Sequence, residues 1–392
     1  MSEREGLARA TEQPLVVFGD ASLSYDFGPG HPLTPRRFPP AIDLLRGMGA
    51  QRFIAPEPAT DEQLRRLHSA RYIDAVRAFG DNPWRPPSMG IGAGDCPPFE
   101  RMHEASAAVA GGSIAAVDWI EAGDARHAFH PGGGLHHAMA EQASGFCIYN
   151  DVALAVARAR DDGHRVFYVD LDVHHGDGTQ AMFWNDPQVL TFSIHETGLS
   201  LFPGTGFPDE LGGPDAEGTA VNVPLAPYSG DASWIPIVED ALPALAAAFR
   251  PTFIISQHGC DSHAYDPLAH LRLTTRAYRA ATTLLDELAH RFADGRWLAT
   301  GGGGYDVYRV VPRSWALVWL AQAHGAPEEG IGEAWRGRWS AEADRFGQSP
   351  LPTSLLDAEG WVAADPGDLV AANRRTADQA LSSSLMRLEA VT

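Results

Sequence analysis

Residues 165–171, RVFYVDL, constrain the fold more than any other stretch. The run is apolar almost throughout, without the polar alternation of a half-exposed strand. That is the pattern of a strand covered on both faces in a parallel sheet. Short β-branched or aromatic runs at 15–19, 52–54, 126–130, 189–194, 252–257 and 296–300 read as further strands. They alternate with helical stretches at 41–49, 60–67, 69–79, 99–122, 150–162, 232–249, 274–293 and 306–324. Thr60 and Gln63 form a capping box at the head of one helix. Gly111 and Gly112 look like a weak point inside the longest. Alternating strands and helices predict one α/β domain. Residues 195–219 form a long Gly/Pro loop, and loops of that length are usually functional or disordered. Residues 1–13 read as a polar tail and 14–325 as the domain. Residues 326–392 read as an extension packed on or trailing it, irregular apart from a final helix near 367–390.

The 392 residues are 44% hydrophobic, enough for a sizeable core. Lys and Arg number 30 against 50 Asp and Glu, a formal charge of −20. A nucleic-acid binder needs a basic face, so that class is disfavoured. An acidic surface can attract basic partners, and serves solubility equally well. Cys96, Cys147 and Cys260 are scattered and no C-x-x-C pair exists, so neither a disulfide framework nor a thiolate zinc site is expected. The opening MSEREGLARATEQ has no apolar signal core, and the best apolar run, around ALPALAAAF, reads as too short to span a bilayer. The expectation is a cytoplasmic protein with neither nucleic acid nor membrane as a partner.

Ligands of open α/β sheets bind beyond the carboxyl ends of the strands, and there the chain concentrates reactive side chains. PGGGLHHA after strand 126–130 carries His136 and His137. The segment D-L-D-V-H-H-G-D-G ends strand 165–171 with Asp170, Asp172, His174, His175 and Asp177. HGCDSH after strand 252–257 carries Asp261, and GGGGY after 296–300 carries Tyr305. Asp172 and His174, two apart on extended backbone, point to one side. With Asp261 they make a set of two carboxylates and one imidazole, as in a catalytic zinc site with an open position. Ligand type also admits iron(II). A lone Asp-x-His more often caps loops; convergence from four strands reverses those odds. Asp170 and Asp177 are available to fix the tautomers of His136 and His137, which then serve proton transfer. The alternative is a glycine-rich loop with two exposed histidines. Tyr305 can donate a hydrogen bond to a growing oxyanion, or merely anchor its loop.

Weaker signals surround these. Asp95 either holds a substrate backbone amide or caps the following helix. Phe146, beside Gly145, and Phe202 either wall a narrow channel or pack internally. Leu268 adds an apolar rim. His258, His263 and His270 read as structural or surface residues. There is no G-x-S-x-G, H-E-x-x-H or usable G-x-G-x-x-G.

Taken in order, Y-D-F-G-P-G-H-P-L-T-P-R-R (25–37), G-G-L-H-H-A (133–138), G-F-C-I-Y-N-D (145–151), Y-V-D-L-D-V-H-H-G-D-G (168–178), F-P-G-T-G (202–206), G-C-D-S-H-A-Y-D-P-L (259–268) and G-G-G-G-Y (301–305) resemble the zinc-dependent histone deacetylase family, in particular its bacterial acetoin-utilisation, class I-like members. The match runs from about residue 20 to 325. The resemblance implies a single arginase/deacetylase-like α/β domain with a central eight-stranded parallel sheet. It implies removal of acetyl groups from acetyl-lysine side chains of proteins or peptides by metal-activated water. Zinc would be held by Asp172, His174 and Asp261. His137 would be general base and then acid, backed by Asp177; His136, backed by Asp170, would be its electrostatic partner. Tyr305 would polarise the acetyl carbonyl. Asp95 would position the substrate backbone, and Gly145, Phe146, Phe202 and Leu268 would line its tunnel. A structural potassium ion would fall to Asp170, Asp172, His174, Ser193 and Ile194. At a second potassium position, Thr219 departs from the aromatic residue common in the family. Two other readings are a deacetylase of small acetylated amines such as acetylpolyamines, and a non-catalytic acetyl-lysine-binding protein on the same fold. A binuclear ureohydrolase is disfavoured, because His175 and Gly176 stand where extra Asp ligands would be needed.

Overall fold

The computed structural model describes residues 13–92, 94–325 and 330–391. The expected tail, apart from Gln13, and the expected boundary after residue 325 lie outside the described residues. Eight strands form one sheet: β1 (Leu15–Val17), β2 (Phe53–Ile54), β3 (His127–His130), β4 (Val166–Asp170), β5 (Val189–Glu196), β6 (Ala220–Leu225), β7 (Phe253–Gln257) and β8 (Trp297–Thr300). Every pairing is parallel, in the order β2-β1-β3-β8-β7-β4-β5-β6.

The apolar run of β4 behaves as its composition requires. Phe167 and Val169 join one core, with helices Phe38–Gly47, Asp231–Phe249, Thr275–Phe292 and Val311–Gln322. Val166 and Tyr168 face the other, with helices Met102–Glu121 and Asp151–Asp161. Alternate side chains thus bury both sheet faces, giving three layers. Full burial of a side chain such as Phe167 or Phe192 contributes about 1.5–3 kcal/mol.

The chain order decides where chemistry can collect. After β3 the chain crosses to β4, continues outward through β5 and β6, and returns to lay β7 and β8 between β4 and β3. Hence β3, β8, β7 and β4 are neighbours in space, although β3 ends at residue 130 and β8 at residue 300. Their C-terminal loops open onto one crevice.

The structure departs from several expectations. Strand Ala220–Leu225 lies outside the expected set, because Pro224 interrupts its apolar run; β6 is an edge strand, where proline is tolerated. Helix Glu333–Arg345 lies in a stretch expected to be irregular; Trp335 Nε1 donates to Pro40 O (2.8 Å) and Trp339 Nε1 to Asp43 Oδ2 (2.9 Å). Gly111 is no weak point. The helix is continuous, and a Cβ there would lie 1.9 Å from Glu57 O, so glycine admits a close-packed neighbour. The Thr60–Gln63 capping box is present, but its helix is one turn, Asp61–Leu64. Helix Asp231–Phe249, which contains ALPALAAAF, is long and apolar enough to cross a membrane; its face of Trp234, Ile237, Leu242 and Leu245 is buried in the core.

Residues 330–391 pack on the sheet rather than trail from it. In helix Gly367–Val391, Asn373 Oδ1 accepts from Ala226 N (3.1 Å) and Ser384 Oγ donates to Ala220 O (3.4 Å), covering β6. Asp357 ties the segment to the core. It accepts from Arg313 Nη1 (2.7 Å), Thr275 N (2.9 Å) and Thr275 Oγ1 (3.0 Å), and lies 3.0 Å from His263 Nε2. Burial raises its pKa, but His263 and Arg313 outweigh that and hold it well below the usual carboxylate range. A depressed folded pKa gives stability that is complete above the unfolded pKa, about 4, and lost as pH falls through it toward the folded value. Asp357→Ala is therefore expected to lower unfolding free energy by about 3–5 kcal/mol at neutral pH. The difference from the parent narrows in acid. Urea midpoints across pH check this; a loss below about 1 kcal/mol contradicts the clasp.

Candidate active site and metal centre

Beyond β4 the backbone places Asp172 and His174 on one side, and beyond β7 it delivers Asp261. His174 Nδ1 lies 3.0 Å from Asp172 Oδ1 and 3.1 Å from Asp261 Oδ2. One ligand atom from each of the three lies within 4.8 Å of the others. Asp172 and Asp261 are fully buried or nearly so. Burial first, then the charge of Asp172, pushes the pKa of Asp261 up to about 6. Burial opposes charge on His174 as well, yet the two carboxylates raise it to about 10. The field at this point favours positive charge strongly. Two carboxylates and one imidazole so placed fit a divalent cation with room for a further ligand.

The adjacent histidines are buried and differently partnered. His136 Nδ1 lies 2.7 Å from Asp170 Oδ2, which also accepts from Tyr168 OH at 2.5 Å. His137 Nδ1 lies 2.7 Å from Asp177 Oδ1, and the two Nε2 atoms are 3.0 Å apart. Burial disfavours charge on both. At His136 the carboxylates of Asp170, Asp172 and Asp177 outweigh it and raise the pKa to about 9. At His137 burial and the neighbouring His136 prevail over Asp177 and lower it to about 4. Asp177 is itself held below the usual range: burial opposes this, and His137 outweighs it.

Tyr305 is buried. Its phenol pKa is raised well above the ordinary value, by burial and then by Asp261 and Asp172, so the hydroxyl keeps its proton. Tyr305, His136, His137, Asp172, His174 and Phe146 line a common cavity of about 20 Å³. That is space for about one water. Phe146 stands edge-on to Tyr305 with centroids 6.0 Å apart, and Phe202 edge-on to His137 at 5.0 Å. Gly145 also lines the cavity, whereas Phe202 is exposed beside it. Leu268 packs in the same apolar cluster as Tyr305 and Phe146. Asp95 Oδ2 accepts from Gly145 N at 2.6 Å on the exposed rim. It does not cap the next helix, whose N-cap is Arg101. For the potassium expectation, Asp170 is paired with Ser193 in the β4–β5 register, with Ile194 next along β5. Buried Thr219 donates to Ala216 O (2.7 Å). His258 bonds Ser256 Oγ (2.8 Å), His263 meets Asp357, and His270 meets Glu196 (2.8 Å); His175 bonds Thr205 and Gln180.

Supporting residues have no signature of their own in the sequence. Gln257 Nε2 donates to Asp172 Oδ2 (2.7 Å). Asp266 accepts from Tyr305 N (2.8 Å) and Leu268 N (3.0 Å). Asp151 accepts from Leu135 N (2.8 Å), Gly134 N (3.1 Å) and Ser113 Oγ (2.6 Å), bracing the His136 loop. Buried Arg37 donates to Gly302 O (2.5 Å). All four lie within or beside the ordered motifs, and that proximity is the signal that could have found them.

Gly303 packs against the candidate metal ligands. Its N donates to Asp172 Oδ2 (2.8 Å), and a Cβ there would fall 2.0 Å from Asp261 Oδ2 and 2.9 Å from Asp172 Oδ2. If Asp172, His174 and Asp261 hold a divalent cation, Gly303→Ala is expected to weaken its binding by about 10–100-fold, the loss typical when a ligand's support is disturbed. Competition with a chromogenic chelator measures it; unchanged affinity contradicts the placement.

The family model for the histone deacetylase domain matches residues 31–322. The acetoin utilization protein AcuC of Bacillus subtilis (strain 168) is 40% identical over 362 residues, covering 91% of this chain and 90% of that protein. The protein of the same name from Staphylococcus xylosus is 36% identical over 351 residues, covering 87% and 90%. That from Staphylococcus aureus (strain MSSA476) is 36% identical over 337 residues, covering 84% and 87%. A family match across most of the chain, with an all-parallel eight-stranded sheet beneath it, leads to one conclusion: the chain belongs to the histone deacetylase family and is a deacetylase.

Proposed function

We propose that the chain hydrolyses the amide of acetyl-lysine side chains in cytoplasmic proteins or peptides. The observation that carries this is the convergence of the histidine pair, Tyr305, Asp172 and His174 on one small cavity. Asp172, His174 and Asp261 would hold zinc, with iron(II) the alternative their chemistry admits. Bound there, the cation supplies Lewis acidity for water and for the acyl oxygen. Asp170, Asp172, His174, Ser193 and Ile194 would hold a structural potassium ion.

The residues divide the proton work. Asp177 accepts the hydrogen bond from His137 Nδ1 and so keeps the lone pair on Nε2. His137 Nε2 takes the proton of the attacking water and later gives it to the departing lysine nitrogen. His136, protonated and held by Asp170, adds positive charge beside the reacting centre. The protonated Tyr305 hydroxyl donates to the oxygen of the tetrahedral intermediate. Phe146 and Phe202 suit a slim, neutral acyl-lysine chain. Asp95 would hold the substrate backbone at the rim.

Tyr305→Phe is expected to lower kcat by about 10²–10³-fold, the usual loss of an oxyanion donor. His137→Ala is expected to lower it by about 10²–10⁴-fold. Acetyl-peptide hydrolysis, run beside acetylpolyamines, measures both and ranks the substrates. Peptide binding without turnover in the parent would overturn the proposed hydrolysis of acetyl-lysine. Preference for acetylpolyamines would replace the protein substrate with a small amine.

A further inference from the structure

At the opposite pole of the sheet, His127, Asp286, His290 and His324 come together from three elements. His127 opens β3, whose far end feeds the catalytic loop. Asp286 and His290 sit four apart on helix Thr275–Phe292 and share a face. His324 lies just beyond helix Val311–Gln322. His127 Nε2 lies 3.2 Å from His290 Nε2. Both nitrogens lie 3.5 Å from Asp286 Oδ1, and His324 Nδ1 lies 3.3 Å from Asp286 Oδ2. One ligand atom from each residue lies within 4.8 Å of all the others.

We propose that these four residues form a second metal site, selective for a zinc-class divalent transition ion. Donors about 2.0–2.1 Å from a tetrahedral centre stand about 3.3 Å from one another. Among His127 Nε2, His290 Nε2 and Asp286 Oδ1 the separations of 3.2, 3.5 and 3.5 Å match that edge length, while His324 Nδ1 approaches the other carboxylate oxygen of Asp286 at 3.3 Å. A purely hydrogen-bonded cluster explains the arrangement less well. Asp286 Oδ1 is buried yet accepts no hydrogen bond, and His127 is almost wholly buried with its Nε2 facing another ring nitrogen. Three imidazoles and one carboxylate suit zinc, cobalt or nickel rather than magnesium or calcium, which take oxygen ligands. Four protein donors complete a tetrahedron, so the role is structural: the ion clasps two helices to the start of β3. His324, more than half exposed, gives the ion a route in.

The test uses tag-free full-length protein, stripped with chelator and dialysed against Zn²⁺ with elemental analysis. The double variant His290→Ala/His324→Ala is expected to bind one zinc fewer per chain than the parent. His174→Ala, altered only at the catalytic centre, keeps the zinc that the double variant loses. In the His174→Ala chain Zn²⁺ raises Tm, and Co²⁺ gives the absorption bands of a tetrahedral centre; adding His324→Gln, a change at an exposed position, abolishes both. Equal zinc content in parent and double variant, or tetrahedral bands that survive His324→Gln, would overturn the site.

Discussion

Two buried carboxylates that repel one another, Asp172 and Asp261, are the constraint around which the catalytic end of the sheet is built. The protein sets donors against that repulsion from three separate strand ends. Gln257 and Gly303 reach Asp172 Oδ2, His174 N reaches Asp172 Oδ1, and Val173 N reaches Asp261 Oδ1. Such hydrogen bonds soften the loss of hydration, but partial charges do not neutralise two ions out of water. The raised pKa values of Asp261 and His174 express the remaining demand for positive charge. A bound cation would answer it, which is why donor identity here speaks to metal chemistry more directly than any single motif.

The candidate ligands and the residues proposed to move protons are legible in the sequence because they are reactive types in loops that directly succeed strands. An apolar strand announces itself by composition, and the loop at its carboxyl end faces the crevice. Residues that hold the site in place are less legible. Asp266 matters through a backbone N–H 39 positions away, and Gln257 through a carboxylate 85 positions away. Neither relation leaves a local pattern. Strand β6 is hidden by Pro224, and helix Glu333–Arg345 by its weak amphipathicity; its docking rests on two tryptophans. The His127 cluster escapes for the same reason as Gln257, since its members are ordinary helix and strand residues until the sheet closes.

The C-terminal segment shows how a fold can complete itself from its far end. An edge strand leaves unpaired backbone groups, a liability that proteins cover or blunt. Here helix Gly367–Val391 lies over β6, and Asn373 bonds the end of that strand together with Ser229 and Ser233. Asp357 reaches His263, two residues from Asp261, and Arg313 on the helix after the Tyr305 loop. Gln348 Nε2 also donates to Tyr305 O (3.2 Å), so the segment bears on both loops that present the candidate site.

Topology also distinguishes the two histidines to which different roles are proposed. His136 and His137 are the same residue type in adjacent positions, both buried, and nothing in their spacing distinguishes them. With their Nε2 atoms 3.0 Å apart, two protonated rings would repel strongly in a site with little water. One proton must therefore go to one ring. Asp170 and Asp172 draw it to His136, whereas His137 has Asp177 alone against the His136 charge. The opposite shifts of the two rings, on which the proposed division into charged neighbour and neutral base rests, thus follow from which carboxylate each ring meets. Those carboxylates come from the end of β4 and from the loop and helix that follow it, which the chain builds only after crossing the sheet, so the two rings are distinguished by the path of the chain and not by local sequence.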